Sequence, residues 1–157
     1  MKTLKTLTLA IASMGMFALA SCEQDPCADT NCGANGLCDD GTCVCEIYYE
    51  GESCETEMRE KFEGTYTGRF TSGNNLLEVP SLTFSRDLLD VSKIVFNEGK
   101  NYMIITSSTE AELPEQDFEG IPINGTAIYN DGNLVIDLNV VVVGQEVDFG
   151  TFDLIKK

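Results

Sequence analysis

The residues with the most distinctive chemistry in this 157-residue chain are seven cysteines, all at or before Cys54. A cysteine thiol can be acylated, bind a metal as thiolate, act as a nucleophile or pair with another cysteine. Position and spacing divide the seven. Cys22 stands alone at the end of an apolar run, whereas Cys27, Cys32, Cys38, Cys43, Cys45 and Cys54 crowd into 28 residues as C-x4-C-x5-C-x4-C-x-C-x8-C. A zinc site would want two C-x2-C pairs or histidines, and the chain has no histidine. Nucleophilic Cys-His and Ser-His-Asp chemistry is excluded on the same ground. What remains is one solitary thiol and an even set of six.

The solitary cysteine follows a cationic start, Met1-Lys-Thr-Leu-Lys5, and thirteen mostly apolar, uncharged residues from Leu7 to Leu19. Thirteen are too few to cross about 30 Å of hydrocarbon but fit the core of an export signal, so residues 1–21 are expected to be a cleaved leader. The closing residues Leu19-Ala20-Ser21-Cys22 resemble the lipobox of bacterial lipoproteins. The resemblance implies that Cys22 carries a diacylglycerol and an N-acyl chain such as palmitate. Each buried methylene contributes about 0.8 kcal/mol, so two or three chains would hold the protein on a membrane nearly permanently. Residues 22–24 then form a tether. Glu23 and Asp25 resemble the acidic signals that send some Gram-negative lipoproteins outward, implying an outer-membrane protein, with its periplasmic and external faces both open.

Export places the other six thiols in an oxidising compartment, where they pair. The segment is too short and too poor in apolar residues to fold on a core alone, so crosslinks must order it, each contributing about 2 to 3 kcal/mol. Six cysteines permit fifteen pairings. The run Cys43-Val-Cys45-Glu-Ile-Tyr-Tyr-Glu-Gly51-Glu-Ser-Cys54 resembles the second half of an EGF-like domain, with Tyr49 and Gly51 at the aromatic and glycine positions. Asp25-Pro-Cys27 and Asn35-Gly36-Leu-Cys38 are similar to that family's opening and to its turn before the third cysteine. The resemblance covers residues 25–55 and implies pairing of Cys27 with Cys38, Cys32 with Cys43, and Cys45 with Cys54. Tyr48 departs from it, standing where the family has glycine or proline. The calcium-binding variant of the family is not matched, because Pro26 takes a ligand position and Asp39-Asp40-Gly41-Thr42 lacks the aromatic; too few oxygens remain for a calcium ion.

Charge narrows the partners. Residues 23–57 hold ten acidic side chains and no basic one, and without the leader the chain keeps eight Lys and Arg against 26 Asp and Glu, near −18. That balance excludes nucleic acid and disfavours anionic lipid headgroups, both of which need basic patches. No glycine-rich phosphate loop is present, and no cofactor or metal is expected. Paired carboxylates could hydrolyse glycosides, but Asp137, Asp148 and Asp153 alternate with apolar residues and so mark a wet strand face. The chain therefore reads as no enzyme. The acidic segment Glu110–Glu119, with Glu112, Glu115 and Asp117 around Pro114, is expected to be a loop open to a metal or partner contact. Asn124-Gly-Thr126 matches a glycosylation sequon without implying one in a bacterial lipoprotein.

After Cys54 the composition changes. Residues 56–63 are expected to be a short helical linker, capped by Thr56 with Met58 and Phe62 on one face. From residue 64 to 157 the hydrophobic period is two, as an antiparallel β domain requires. Strands are expected from Gly64 to Thr71, then at 76–84, 91–97, 101–106, 121–129, 134–143 and 147–155. Pro80 should mark an edge or a bulge. A hairpin is expected at Asn130-Asp131-Gly132-Asn133, a turn at Gly144-Gln145, and a helical turn within Ser85–Asp90. Leu134, Ile136, Leu138, Val140 and Val142 are expected on one core face. The fold class is mainly β, a small disulfide-rich module plus a seven- to eight-stranded barrel or sandwich.

The layout of a cysteine module, then Glu55-Thr56-Glu57 and Lys61-Phe62-Glu63-Gly64-Thr65-Tyr66, then a β domain containing Asn133-Leu134-Val135-Ile136, resembles Gram-negative surface lipoproteins with lipocalin-like (calycin-like) C-terminal domains. Two functions follow as expectations. One is a non-enzymatic surface protein, held on the membrane through the lipid at Cys22, that binds or adheres to a protein or glycan. The alternative is a carrier whose barrel encloses a small apolar ligand.

Overall fold

The computed structural model of the protein describes residues 25–157. The leader over 1–21, the lipid site at Cys22 and the tether 22–24 lie outside the described residues. The first module comprises β1 (Gly36–Asp39), β2 (Thr42–Cys45) and β3 (Tyr49–Glu50), with three disulfides joining Cys27 to Cys38, Cys32 to Cys43, and Cys45 to Cys54. The hairpin β1–β2 turns at Asp40-Gly41, both with positive φ, the backbone that a two-residue turn matching the strand twist demands. There is almost no hydrophobic core here. Leu37 and Ile47 are 78% and 75% exposed, and the buried side chains of the module are the disulfide cysteines Cys32 and Cys54.

The join keeps a helical turn within 56–63, but that turn starts after Thr56. Thr56–Glu57 is a short strand, β4, paired with β3, and Met58–Lys61 follows as one 3₁₀ turn with no side-chain cap. Thr56 therefore pairs with Glu50 instead of capping. Tyr48 explains the join. It sits at φ 75, where the EGF-like pattern carries glycine or proline; its carbonyl accepts from the Met58 N–H at 2.8 Å, and its side chain packs against the core of the second domain. A side chain held at positive φ is strained, and here it joins the two domains.

The second domain is a closed eight-stranded barrel: β5 (Gly64–Ser72), β6 (Asn75–Arg86), β7 (Lys93–Phe96), β8 (Asn101–Ile105), β9 (Glu110–Phe118), β10 (Ile121–Asn130), β11 (Asn133–Val142) and β12 (Gln145–Lys156). Each strand pairs antiparallel with the next, and β12 closes on β5, so the barrel-or-sandwich alternative resolves to an up-and-down barrel. Closure removes the free edges that an open sheet of this length would expose. Pro80 lies in a bulge: Tyr66 faces Leu82 and Gly68 faces Val79, leaving Pro80 and Ser81 opposite Thr67 alone. Gly68 has no room for a side chain, because a Cβ there would collide with the Asp153 carbonyl of β12.

Three expectations for the barrel change. The acidic segment 110–119 is no loop but strand β9, with Glu110, Glu112, Glu115 and Asp117 exposed and Ala111 and Leu113 buried. Burial of that inner face outweighs the poor strand propensity of the acids and Pro114. Residues 87–90 form no helical turn; the Asp87 carboxylate accepts from the N–H groups of Leu89 and Asp90, a local bond that competes with helix. Of the expected core face on β11, Leu134, Ile136 and Leu138 are buried, but Val140 is half-buried and Val142 is exposed where the strand leaves the barrel. The β11–β12 turn is centred on Val143-Gly144, one residue earlier than expected.

Candidate functional site: an apolar cavity at the open end of the barrel

The up-and-down order gives the barrel two unlike ends. One carries the 86–93, 105–110 and 130–133 connections, the end of β12 and the 3₁₀ turn leading from the cysteine module. Phe62, directly after that turn, is fully buried and meets the Tyr129 ring at 5.6 Å; Tyr66 is also fully buried, edge-on to Phe84 at 5.5 Å. The Tyr66 hydroxyl donates to the carbonyls of Phe62 and Lys61 at 3.1 and 3.2 Å, so its polar tip has partners. Burial, with the nearby Tyr129 as a smaller cause, pushes the Tyr66 phenol well above its ordinary pKa. This end is closed by the linker itself.

Arg59 braces the same end. It is buried, its Nε pairs with Glu57 at 2.7 Å, and its guanidinium donates to the carbonyls of Asp87, Asp90 and Lys93 at 2.8, 2.7 and 3.3 Å. A buried cation needs such partners, and they fix the 86–93 connection against the linker. Within it, the Ser92 hydroxyl and N–H, with Lys93, hold the Asp90 carboxyl below the usual carboxylate range.

The opposite end, where β5–β6, β7–β8, β9–β10 and β11–β12 turn, is not filled. A cavity of about 400 Å³ opens there. Phe70 of β5 and Val79 and Leu82 of β6 form one wall, Phe118, Ile121 and Ile123 around the β9–β10 turn another, and Ile136 and Leu138 of β11 with Phe149 and Phe152 of β12 a third. Phe84, Phe96 and Leu113 also line it, and among these lining side chains the one polar group is Glu119. Phe70 stacks on Phe152 at 4.6 Å and on Phe149 at 5.5 Å, which leaves a wall of three rings. Phe149 and Ile121 remain partly exposed at the mouth.

Local backbone chemistry sets this shape. Phe149 is the extra residue of a bulge, since Leu138 faces Gly150 and Asn139 faces Asp148. Gly150 has φ 150, and a Cβ there would strike the Thr71 carbonyl and crowd the Phe70 ring. Glycine thus lets β12 bend against β5 and swings Phe149 toward the mouth. On the other side the β8–β9 ladder is only two pairs long, Ile104 with Glu112 and Ile105 with Ala111. Beyond it the Gln116 side chain takes over, accepting from the Tyr102 N–H at 2.9 Å and donating to the Tyr102 carbonyl at 2.8 Å. Buried Asn101 completes the seam by donating to the Asp117 carbonyl at 2.8 Å. Side chains thus replace missing ladder bonds beside the cavity.

Comparison of the chain with family models, with curated proteins and with solved structures finds no match. The site must be read from its own geometry.

The residues singled out in the sequence fall elsewhere. Cys22 lies outside the described residues, and the six further cysteines are all in disulfides. Asp137, Asp148 and Asp153 are exposed, Asp137 accepting from the Thr151 hydroxyl at 2.7 Å. Glu112 and Glu115 border a wide furrow of mixed polar and apolar lining on the outside of β9–β10, where the Asn124 amide donates to Glu146 at 2.5 Å. Among the described residues no three carboxylates or cysteines gather as a metal-binding group. Sequence reasoning held a ligand-enclosing barrel as an alternative but assigned none of its rings to a site: Phe70, Phe118 and Phe152 carry no motif beyond their inward register, and Phe149 is turned in by a bulge.

Proposed function

We propose that the chain is a non-enzymatic, lipid-anchored outer-membrane protein in which an EGF-like module carries a lipocalin-like barrel, and that the barrel binds a small apolar ligand. The observation that carries this reading is the cavity of about 400 Å³ with its almost wholly apolar lining. Ligand sites are concave, mostly apolar and of about 300 to 1,000 Å³, and the mouths of barrels are a favoured place for them. A barrel needing only stability would fill that space with its own side chains, as the closed end does with Phe62 and Tyr66. The cavity favours the carrier over a surface that merely adheres to a protein or glycan. The EGF-like module, under this reading, is a crosslinked spacer that holds the closed end toward the anchor at Cys22 and leaves the mouth facing away.

The test uses residues 23–157, which contain every described element, and the neutral fluorescent probe N-phenyl-1-naphthylamine. We expect saturable one-to-one binding on the order of 10 µM, as an apolar molecule of this size allows. Leu138→Trp, which grows into the cavity, should weaken binding at least about tenfold while leaving the melting temperature unchanged or higher. Binding that is unaffected by Leu138→Trp would contradict the proposal.

A further inference from the structure

The cavity and the distribution of charge around it select among apolar ligands. An anionic head taken from water needs a cation or convergent hydrogen-bond donors, and without them it stays out. The lining offers none: it holds no Arg, Lys, Ser, Thr, Tyr or Asn side chain, and its one ionisable group is a carboxylate, Glu119. Glu119 is placed by the β9–β10 turn, where it and Gly120 both have positive φ (53 and 88) and reverse the chain in two residues. The connections around the mouth add Glu98, and Asp117 at the end of β9 accepts from the Gly120 N–H of the β9–β10 turn; the one cation in these connections is Lys100, whose ammonium lies 3.9 Å from Glu98. The other cations among the described residues sit elsewhere. Arg59, Lys61, Arg86, Lys93, Lys156 and Lys157 are at the closed end, and Arg69 is exposed on the outside of β5.

We infer that the cavity takes neutral or cationic apolar molecules and rejects anionic amphiphiles, among them free fatty acids and phosphate-headed lipids. The inference rests on the apolar-ligand reading above and narrows it to a ligand class. Two effects add. Carboxylates around the mouth repel an approaching anion through water, and the repulsion weakens as salt shortens the Debye length. An anion that enters also finds no donor among the lining side chains to replace its hydration.

A matched pair of probes separates the inference from the reading beneath it. N-phenyl-1-naphthylamine and 1-anilinonaphthalene-8-sulfonate share one aromatic body and differ by a sulfonate. With residues 23–157 at about 20 mM salt, the neutral probe should bind at least about tenfold more tightly than the sulfonate, and the gap should narrow at about 500 mM salt. Sulfonate fluorescence that persists in Leu138→Trp is counted as binding outside the cavity. Glu119→Lys should narrow the gap at low salt, chiefly by strengthening the sulfonate. Equal or tighter cavity binding of the sulfonate overturns the selection while leaving the apolar-ligand reading intact. Failure of both probes to bind overturns that reading, and the selection falls with it.

Discussion

The cysteine module and the barrel are folded by different physics, and the contrast explains where a binding site can form. In the module, order comes from three crosslinks; its larger apolar side chains, Leu37, Val44 and Ile47, stay in water. In the barrel, order comes from inward side chains such as Phe62, Tyr66, Phe84, Met103, Leu134 and Leu154, all essentially inaccessible to solvent. A crosslinked module has no interior in which to place a ligand. A barrel closed by hydrogen bonds around its whole wall keeps its shape even where one end is left unfilled, and the cavity is there.

The largest expected effect comes from breaking the crosslinks. Reduction should remove about 2 to 3 kcal/mol of stabilisation for each closed loop, so residues 25–55 should become sensitive to protease while a resistant fragment beginning near residue 56 survives. If the fragment is digested at the same rate, the two regions are one cooperative unit and the contrast fails. Next in size is Phe62→Ala at the closed end, which should cost about 3 to 5 kcal/mol in urea unfolding. The cost should fall on the barrel, leaving the disulfide module compact.

Alkaline pH sharpens the same contrast. The buried Tyr66 has a folded-state pKa above that of the unfolded chain, so its contribution is fully present below about pH 10 and is lost as pH rises above it. Barrel stability should therefore fall between about pH 10 and 12, and Tyr66→Phe should flatten that fall while costing about 1 kcal/mol at neutral pH. A slope unchanged in Tyr66→Phe would assign it to other groups. The smallest effect is a gain. Val143, a β-branched residue 99% exposed at φ 52, should be strained in its turn, and Val143→Asn or Val143→Gly should raise stability by about 1 kcal/mol, read as a higher melting temperature.

Much of the architecture was legible because it has local causes. The period of two located β5–β8 and β10–β12, Asp131-Gly132 located a hairpin, and Pro80 a bulge. What escaped has non-local causes. Strand β9 reads as an acidic loop because Glu110, Glu112, Glu115 and Asp117 take its outer face, and only the alternating Ala111 and Leu113 betray the inner one. The β4 pairing of Thr56 depends on β3, and Tyr48 at φ 75 depends on the domain it packs against. The cavity was least legible of all. Its rings come from five strands brought together by closure, and Phe149 reaches it only through the bulge that Gly150 permits.

The account turns on where a ligand sits. A brominated derivative of the neutral naphthylamine, soaked into crystals of residues 23–157 and located by anomalous scattering, tests this most directly. The account predicts bromine density at the open end, among Phe70, Ile121, Leu138 and Phe149. Density confined to the outer furrow of β9–β10, or to the junction beside Tyr48 and Met58, would contradict it.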